Sequence, residues 1–291
     1  MSMVILDDNQ HTLTLIRSVL RSLGVEQVRC YLRPESAMAA IEAKPPQIVL
    51  TDWELGPAMS GLDFVRLLRS SPNPAVARLP VIMLTAHSDL TLVKAARDAG
   101  IDGFVVKPFS AKTLAQRISA IRRRKQVAGE DASAGGLEPD DAADAPMAED
   151  AGAATMPSRA DVVAAEARLA GLRDRFESSL NAFVADLAAA AETIASDPAA
   201  MKRCCRLAHD LKGQGTSFGY PLLTEFAGSL TRLLGDGRAD DPLLGQLTAL
   251  HIKAISAVAQ ARITGDGGET GRALRQGFER TIARVTGASP I

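Results

Sequence analysis

Ile48-Val49-Leu50-Thr51-Asp52 is a short apolar run that ends on an acid. Too brief for a globular helix, it reads as a buried strand whose last side chain is polar. The same design recurs four times in the first 125 residues: Met3–Asp7, Val25–Tyr31, Val81–Thr85 and Gly103–Lys107. Between these runs lie amphipathic stretches, such as Leu13, Ile16, Leu20 and Leu23, closed by the helix-stopping Gly24. Strands alternating with helices predict a doubly wound, five-stranded parallel sheet covered on both faces.

Chemistry in such sheets gathers outside the carboxyl ends of the strands. The first strand ends in Asp7 and Asp8, the third in Asp52, the fourth in Thr85, and the fifth in Lys107 followed by Pro108. If the sheet forms, these side chains meet at one edge. Three carboxylates in one pocket repel one another and call for a cation, and hard oxygen ligands suit Mg²⁺. A lysine and a hydroxyl beside them suit a phosphoryl group carried on one carboxylate.

In this order the residues resemble a response-regulator receiver domain of flavodoxin-like fold. Its pattern is an acidic pair, a phospho-accepting aspartate, a Ser/Thr followed by Ala, and a Lys-Pro. Here these are Asp7-Asp8, Asp52, Thr85-Ala86 and Lys107-Pro108. The resemblance implies that Asp52 takes phosphate from a phosphohistidine and that Asp7, Asp8, Asp52 and the backbone carbonyl of Glu54 hold Mg²⁺. Thr85 would bond a phosphoryl oxygen and Lys107 would pair with the phosphate. The aromatic switch position falls on Phe104, which lacks a hydroxyl. Glu54 and His87, two residues past Asp52 and Thr85, would tune the lifetime of the phosphoaspartate.

The net charge of −1 hides a division: +6 over residues 1–125, −8 over 126–157 and +1 over 158–291. Arg122, Arg123, Arg124 and Lys125 end a helix, where basic groups suit the helix dipole. Without neighbouring aromatics or a reading motif, they do not make a nucleic-acid patch. Residues 126–157 are rich in Ala, Gly, Asp, Glu and Pro and contain no basic residue. So little bulky apolar material cannot offset the entropy of ordering, which predicts a disordered, self-repelling tether.

From Ser158 to Ile291 the pattern is helical. Leu169, Leu172, Phe176, Leu180, Phe183, Leu187 and Ile194 form one long apolar stripe. Further helices are expected near 199–217, 220–235, 241–263 and 268–286, and the short breaks predict an antiparallel bundle of the four-helix type. A lone histidine on a helix is usually structural or solvated, but His209 has company in Ala208-His209-Asp210-Leu211-Lys212-Gly213-Gln214-Gly215. Each glycine costs about 1 kcal/mol relative to alanine inside a helix, so two beside one histidine suggest a functional reason. Gly213, one turn on, would bare the imidazole face, and Lys212 could reach a phosphate on the ring.

This run resembles the histidine-phosphotransfer (HPt) signature, His-x-Leu-Lys-Gly followed by small residues, Phe and Gly; Asp210 departs from it as an acid directly after the histidine. The resemblance implies phosphorylation of His209 on a ring nitrogen and no ATP site. No segment resembles a kinase ATP lid, so the phosphate would come from a histidine kinase or another receiver domain. Cys205, four residues before His209, has the spacing of a helical metal pair, yet two ligands make no site and Cys204 and Cys205 read as bundle packing. A rival function keeps the receiver but makes the bundle an unphosphorylated partner-binding or dimerisation output. The three cysteines offer no disulfide framework, and neither a signal peptide nor a membrane-spanning run is visible, so a cytoplasmic protein without membrane insertion is expected. The tether would let the bundle bring His209 to its own receiver.

Overall fold

Five parallel strands, β1 (Ser2–Leu6), β2 (Gln27–Tyr31), β3 (Ile48–Asp52), β4 (Val81–Thr85) and β5 (Gly103–Val106), lie in the order β2-β1-β3-β4-β5. The computed structural model describes residues 1–56, 59–85, 94, 96–130, 157–194, 196–236 and 242–287, with the backbone alone at 125–130, 198, 236 and 242. Around the sheet lie α1 (Gln10–Ser22), α2 (Pro34–Ala43), α3 (Gly61–Arg69), the short α4 (Pro74–Ala77) and α5 (Ala111–Glu130).

Alternation within the strands sorts their side chains to two faces. Val4, Leu6, Val49, Val81 and Met83 pack with Ala37 and Ile41 of α2 and with Phe64, Val65 and Leu68 of α3. Met3, Ile5, Ile48, Leu50, Ile82 and Leu84 pack with Leu13, Ile16 and Leu20 of α1 and Leu114 and Ile118 of α5. Both faces are buried, which is why these strands read as unbroken apolar runs. The chain leaves β1 toward β2 on one side and reaches β3 on the other, opening a crevice at the carboxyl ends of β1 and β3.

Helix α5 runs five residues into the stretch that the sequence assigns to the tether. The rest of that acidic segment, 131–156, lies outside the described residues. Ser158 then starts α6 (Arg159–Glu192) with a capping box: its hydroxyl accepts from Asp161 N, and the Asp161 carboxylate accepts from Ser158 N. It is followed by α7 (Pro198–Ser217), α8 (Pro221–Asp236), α9 (Pro242–Gln260) and α10 (Gly268–Thr286). Helix α6 packs on α7 and α9, and α8 packs on the same two, which closes a four-helix ring; α10 lies against α9. Phe176, Leu180, Leu211, Leu222, Phe226, Leu230 and Ile255 fill the ring. Phe176 stacks on Phe218 with centroids 4.6 Å apart, and Phe226 meets Phe278 of α10 edge-on at 4.9 Å. None of the described helices is long and apolar enough to cross a membrane.

The two units share a buried cluster. Helix α1 packs on its own sheet with one side and on α6 and α7 with the other, and α5 also touches α6.

Candidate functional site

Asp7 and Asp8 follow β1 and Asp52 ends β3, so the parallel sheet delivers all three carboxylates to one crevice. Their ligand oxygens lie within 4.8 Å of one another, the one such acidic group among the described residues. Lys107, just past β5, enters from the far side. Its Nζ lies 3.0 Å from Asp52 Oδ1 and 3.4 Å from Asp7 Oδ2, and its backbone N–H donates to Thr85 O at 2.7 Å. Thr85 is itself buried. Trp53 N donates to Asp52 Oδ1 at 2.9 Å, and Asn9 N to Asp7 Oδ1 at 2.8 Å. Gly61 has to be glycine, because a Cβ there would run into the Asp52 carbonyl.

Burial pushes Asp7 up to about 8, against the pull of Lys107 and with the help of the Asp52 charge. Asp8 is also raised by burial, with His209 and Lys212 drawing it down. Burial works against the Lys107 ammonium, yet the Asp52 and Asp7 carboxylates outweigh it and hold its pKa above the usual lysine value. Burial thus makes the ionised form of Asp7 costly, and the Asp52 and Asp8 charges add to that cost. An all-oxygen donor set in that condition fits a hard divalent cation.

Above the crevice stands His209 of α7. Its Nε2 lies 3.5 Å from the Asp8 carbonyl and 3.9 Å from Asp8 Oδ2. Asp8, Asp52, Trp53, Glu54, Lys107, His209, Lys212, Gly213, Thr216 and Thr224 line one common pocket. Lys212 Nζ reaches the Glu54 carboxylate at 2.6 Å. Asn9, which caps α1 by accepting from His11 N and Thr12 N, turns its Nδ2 to within 3.5 Å of the Asp210 carbonyl, and Thr12 Oγ1 donates to Gly213 O at 3.2 Å. Farther out, Lys112 N donates to Glu166 Oε1 at 2.9 Å and Arg168 Nε to Ser18 Oγ at 2.8 Å.

Of the residues singled out by the sequence, Asp7, Asp8, Asp52, Glu54, Thr85 and Lys107 gather at the sheet edge, and His209, Lys212 and Gly213 face them. Phe104 is half-buried against the α2–α3 side of the sheet. His87 and Ala86 lie outside the described residues. The two glycines of α7 serve separate ends. A Cβ on Gly213 would fall 2.5 Å from Asn9 Cγ, so its bareness admits the receiver side; a Cβ on Gly215 would fall 2.6 Å from Thr224 Oγ1, so its bareness admits α8. Thr224 Oγ1 takes hydrogen bonds from Thr216 N and Thr216 Oγ1 and donates to Lys212 O, bracing α7 behind the histidine. Asn9, Thr12 and Thr224 were not among the sequence candidates. Asn9 alone carried a signal, as a cap-type residue directly after the acidic pair. Cys204 is buried and Cys205 half-buried, and burial raises both thiols, consistent with packing.

The response regulator receiver domain model matches residues 3–119, and the Hpt domain model matches residues 171–261. The chemotaxis protein CheY of Pseudomonas aeruginosa is 32% identical over 124 residues, covering 43% of this chain and 98% of that protein. The phosphate regulon transcriptional regulatory protein PhoB of Rhizobium meliloti is 35% identical over 120 residues, covering 41% of this chain and 51% of that protein. Among solved structures, the chemotaxis response regulator CheY4 of Vibrio cholerae matches at 23% identity and a TM-score of 0.38, over 42% of this chain and 98% of its own. The chain belongs to the response-regulator family, with a receiver domain followed by an Hpt domain, a pairing that indicates a two-component phosphorelay.

Proposed function

We propose that Asp52 is the phosphoryl acceptor of the receiver and that His209 exchanges the group with it, inside this chain as well as with histidine kinases and other receivers. The observation that carries this reading is the shared pocket, in which the His209 ring faces the Asp8–Asp52–Lys107 crevice across one small space. In transfer from His209, an Asp52 oxygen attacks phosphorus as the phosphorus–nitrogen bond to the ring breaks. The reverse transfer returns the group to the ring nitrogen. Little covalent assistance is needed for such a loose transition state, so positioning and charge carry the rate. Lys107, ion-paired to Asp52, balances charge on the phosphoryl oxygens; Thr85 offers them a hydroxyl, and Lys212 offers a cation from the bundle side. Mg²⁺, held by Asp7, Asp8, Asp52 and the Glu54 carbonyl, would neutralise the remaining negative charge. On this reading the chain divides into a receiver at 1–130, whose last helix takes in the first five residues of the 126–157 segment, a tether over the rest of that segment and a phosphotransfer bundle at 158–291, working in the cytoplasm.

Labelling with acetyl phosphate tests it, because acyl phosphate is lost in base and phosphohistidine in acid. Wild type acquires both kinds of label, Asp52→Asn loses the base-labile one, and His209→Gln loses the acid-labile one. Base-labile label persisting in Asp52→Asn refutes the acceptor assignment. A wild type that never acquires acid-labile label refutes the role of His209 and leaves the bundle as a binding module.

A further inference from the structure

The contacts that seat His209 over the crevice come from the turn that follows it, and they are of two kinds. Asn9 and Thr12 address main-chain carbonyls, those of Asp210 and Gly213. Any helix presents such groups, so these contacts fix position without reading identity. Glu54 and Lys212 differ, since both partners are side chains of opposite charge, 2.6 Å apart, and both line the pocket.

Each partner is held by its own unit. Lys212 lies three residues past His209, hence on the same helix face. Its carbonyl accepts from Thr224, and its stem runs beside Gly228, where a Cβ would sit 3.5 Å from Lys212 Cδ. Glu54 is bridged to Ser60, the capping residue of α3. An ion pair this accessible adds little to stability. Opposed like charges at that spacing, in contrast, repel, and discrimination arises from such differences between partners.

We infer that Glu54 and Lys212 are a specificity-determining pair: the bundle accepts a receiver with an acid two residues past its phosphorylated aspartate and rejects one with a base there. The complementary partner is this chain's own receiver. The inference deepens the transfer reading above and rests on it.

The test uses the full chain as wild type, Glu54→Lys, Lys212→Glu and the double exchange, each labelled with acetyl phosphate. Base-labile label reports Asp52, and the rate at which acid-labile label appears reports transfer to His209. Each single reversal slows transfer at least tenfold, equivalent to about 1.4 kcal/mol, and the double exchange returns it to within threefold of wild type. If Lys212 serves only the phosphate, Lys212→Glu is slow, Glu54→Lys is normal and the exchange restores nothing, which overturns the inference. Equal rates in all four chains overturn it too. Should a reversal disturb folding, seen as a lowered midpoint of urea unfolding, Glu54→Gln and Lys212→Met carry the same comparison, with about threefold slowing in each expected and unchanged rates contradicting it. A wild type without acid-labile label removes the transfer reading itself, and the inference with it, whereas normal wild-type transfer without rescue removes the pair alone.

Discussion

Replacing Gly213 with alanine sets helix stability against the fit between bundle and receiver. Within α7 the change favours folding by about 1 kcal/mol, the helix propensity difference between the two residues. At the junction it is adverse, because the new methyl would lie 2.5 Å from Asn9 Cγ and 2.7 Å from Asn9 Cβ. Asn9 is buried and caps α1. Swinging it aside gives up a cap worth about 1 kcal/mol, together with its approach to Asp210; otherwise the bundle lifts away. The two contributions nearly cancel in overall stability, but only the displacement of Asn9 bears on docking. Gly213→Ala is therefore expected to unfold in urea within about 1 kcal/mol of wild type while transfer between Asp52 and His209 slows about tenfold or more. Asn9→Gly removes both crowding atoms at a cap position where glycine is tolerated, and in the Gly213→Ala background it is expected to recover most of the rate. A time course of acid-labile and base-labile label, run beside urea unfolding, measures both quantities. Wild-type transfer in Gly213→Ala would refute the reasoning, because the arrangement seen here would then not be the one that reacts.

Asp7, raised to about 8 by burial, binds a proton below that pH, which a cation has to displace. Mg²⁺ affinity is thus expected to climb by up to about tenfold per unit from pH 6 to 8 and to level off above, with proton release on titration calorimetry; a flat profile without release contradicts this. Burial depresses His251, whose ring bonds Leu247 O and Ser229 Oγ, so its neutral form contributes stability at pH values above the ordinary histidine value. As pH falls below about 6.5 the unfolded chain gains a proton that the folded chain resists, costing up to about 1.4 kcal/mol per unit, and His251→Gln should flatten that decline in urea unfolding followed by circular dichroism. Phe226→Ala empties the centre of the helical ring and is expected to cost about 3–5 kcal/mol in the same assay; a loss below about 1 kcal/mol would mean that Phe226 is not the packing centre its burial and its contact with Phe278 indicate.

The crevice was legible because a parallel sheet sends every strand in one direction. Once Ile48–Asp52 and its four counterparts are strands, their terminal Asp, Thr and Lys have one edge on which to meet. The helices of the bundle were legible for a similar reason, since the 3.6-residue stripe of Leu169, Phe176 and Leu180 is local information. What joins the units was not. Asn9 and Gly213 are some two hundred positions apart, and no periodicity links them. Gly213 announced itself by breaking a helix rule, but the sequence has no means of saying that the space it leaves is filled by Asn9. The elevated pKa of Asp7 was likewise hidden, because it depends on how deeply one of three neighbouring carboxylates is set.

Helix α1 presents apolar surface in two directions, to its own sheet and to α6. A receiver cut away from the bundle would carry Arg168's partner Ser18 and the neighbouring apolar positions of α1 into water as a sticky stripe, and the bundle would carry the matching stripe along α6. Such surfaces recognise each other without a covalent leash. The two halves, produced from separate messages, would behave as the subunits of a heterodimer, and a gene split between them would still encode one working machine.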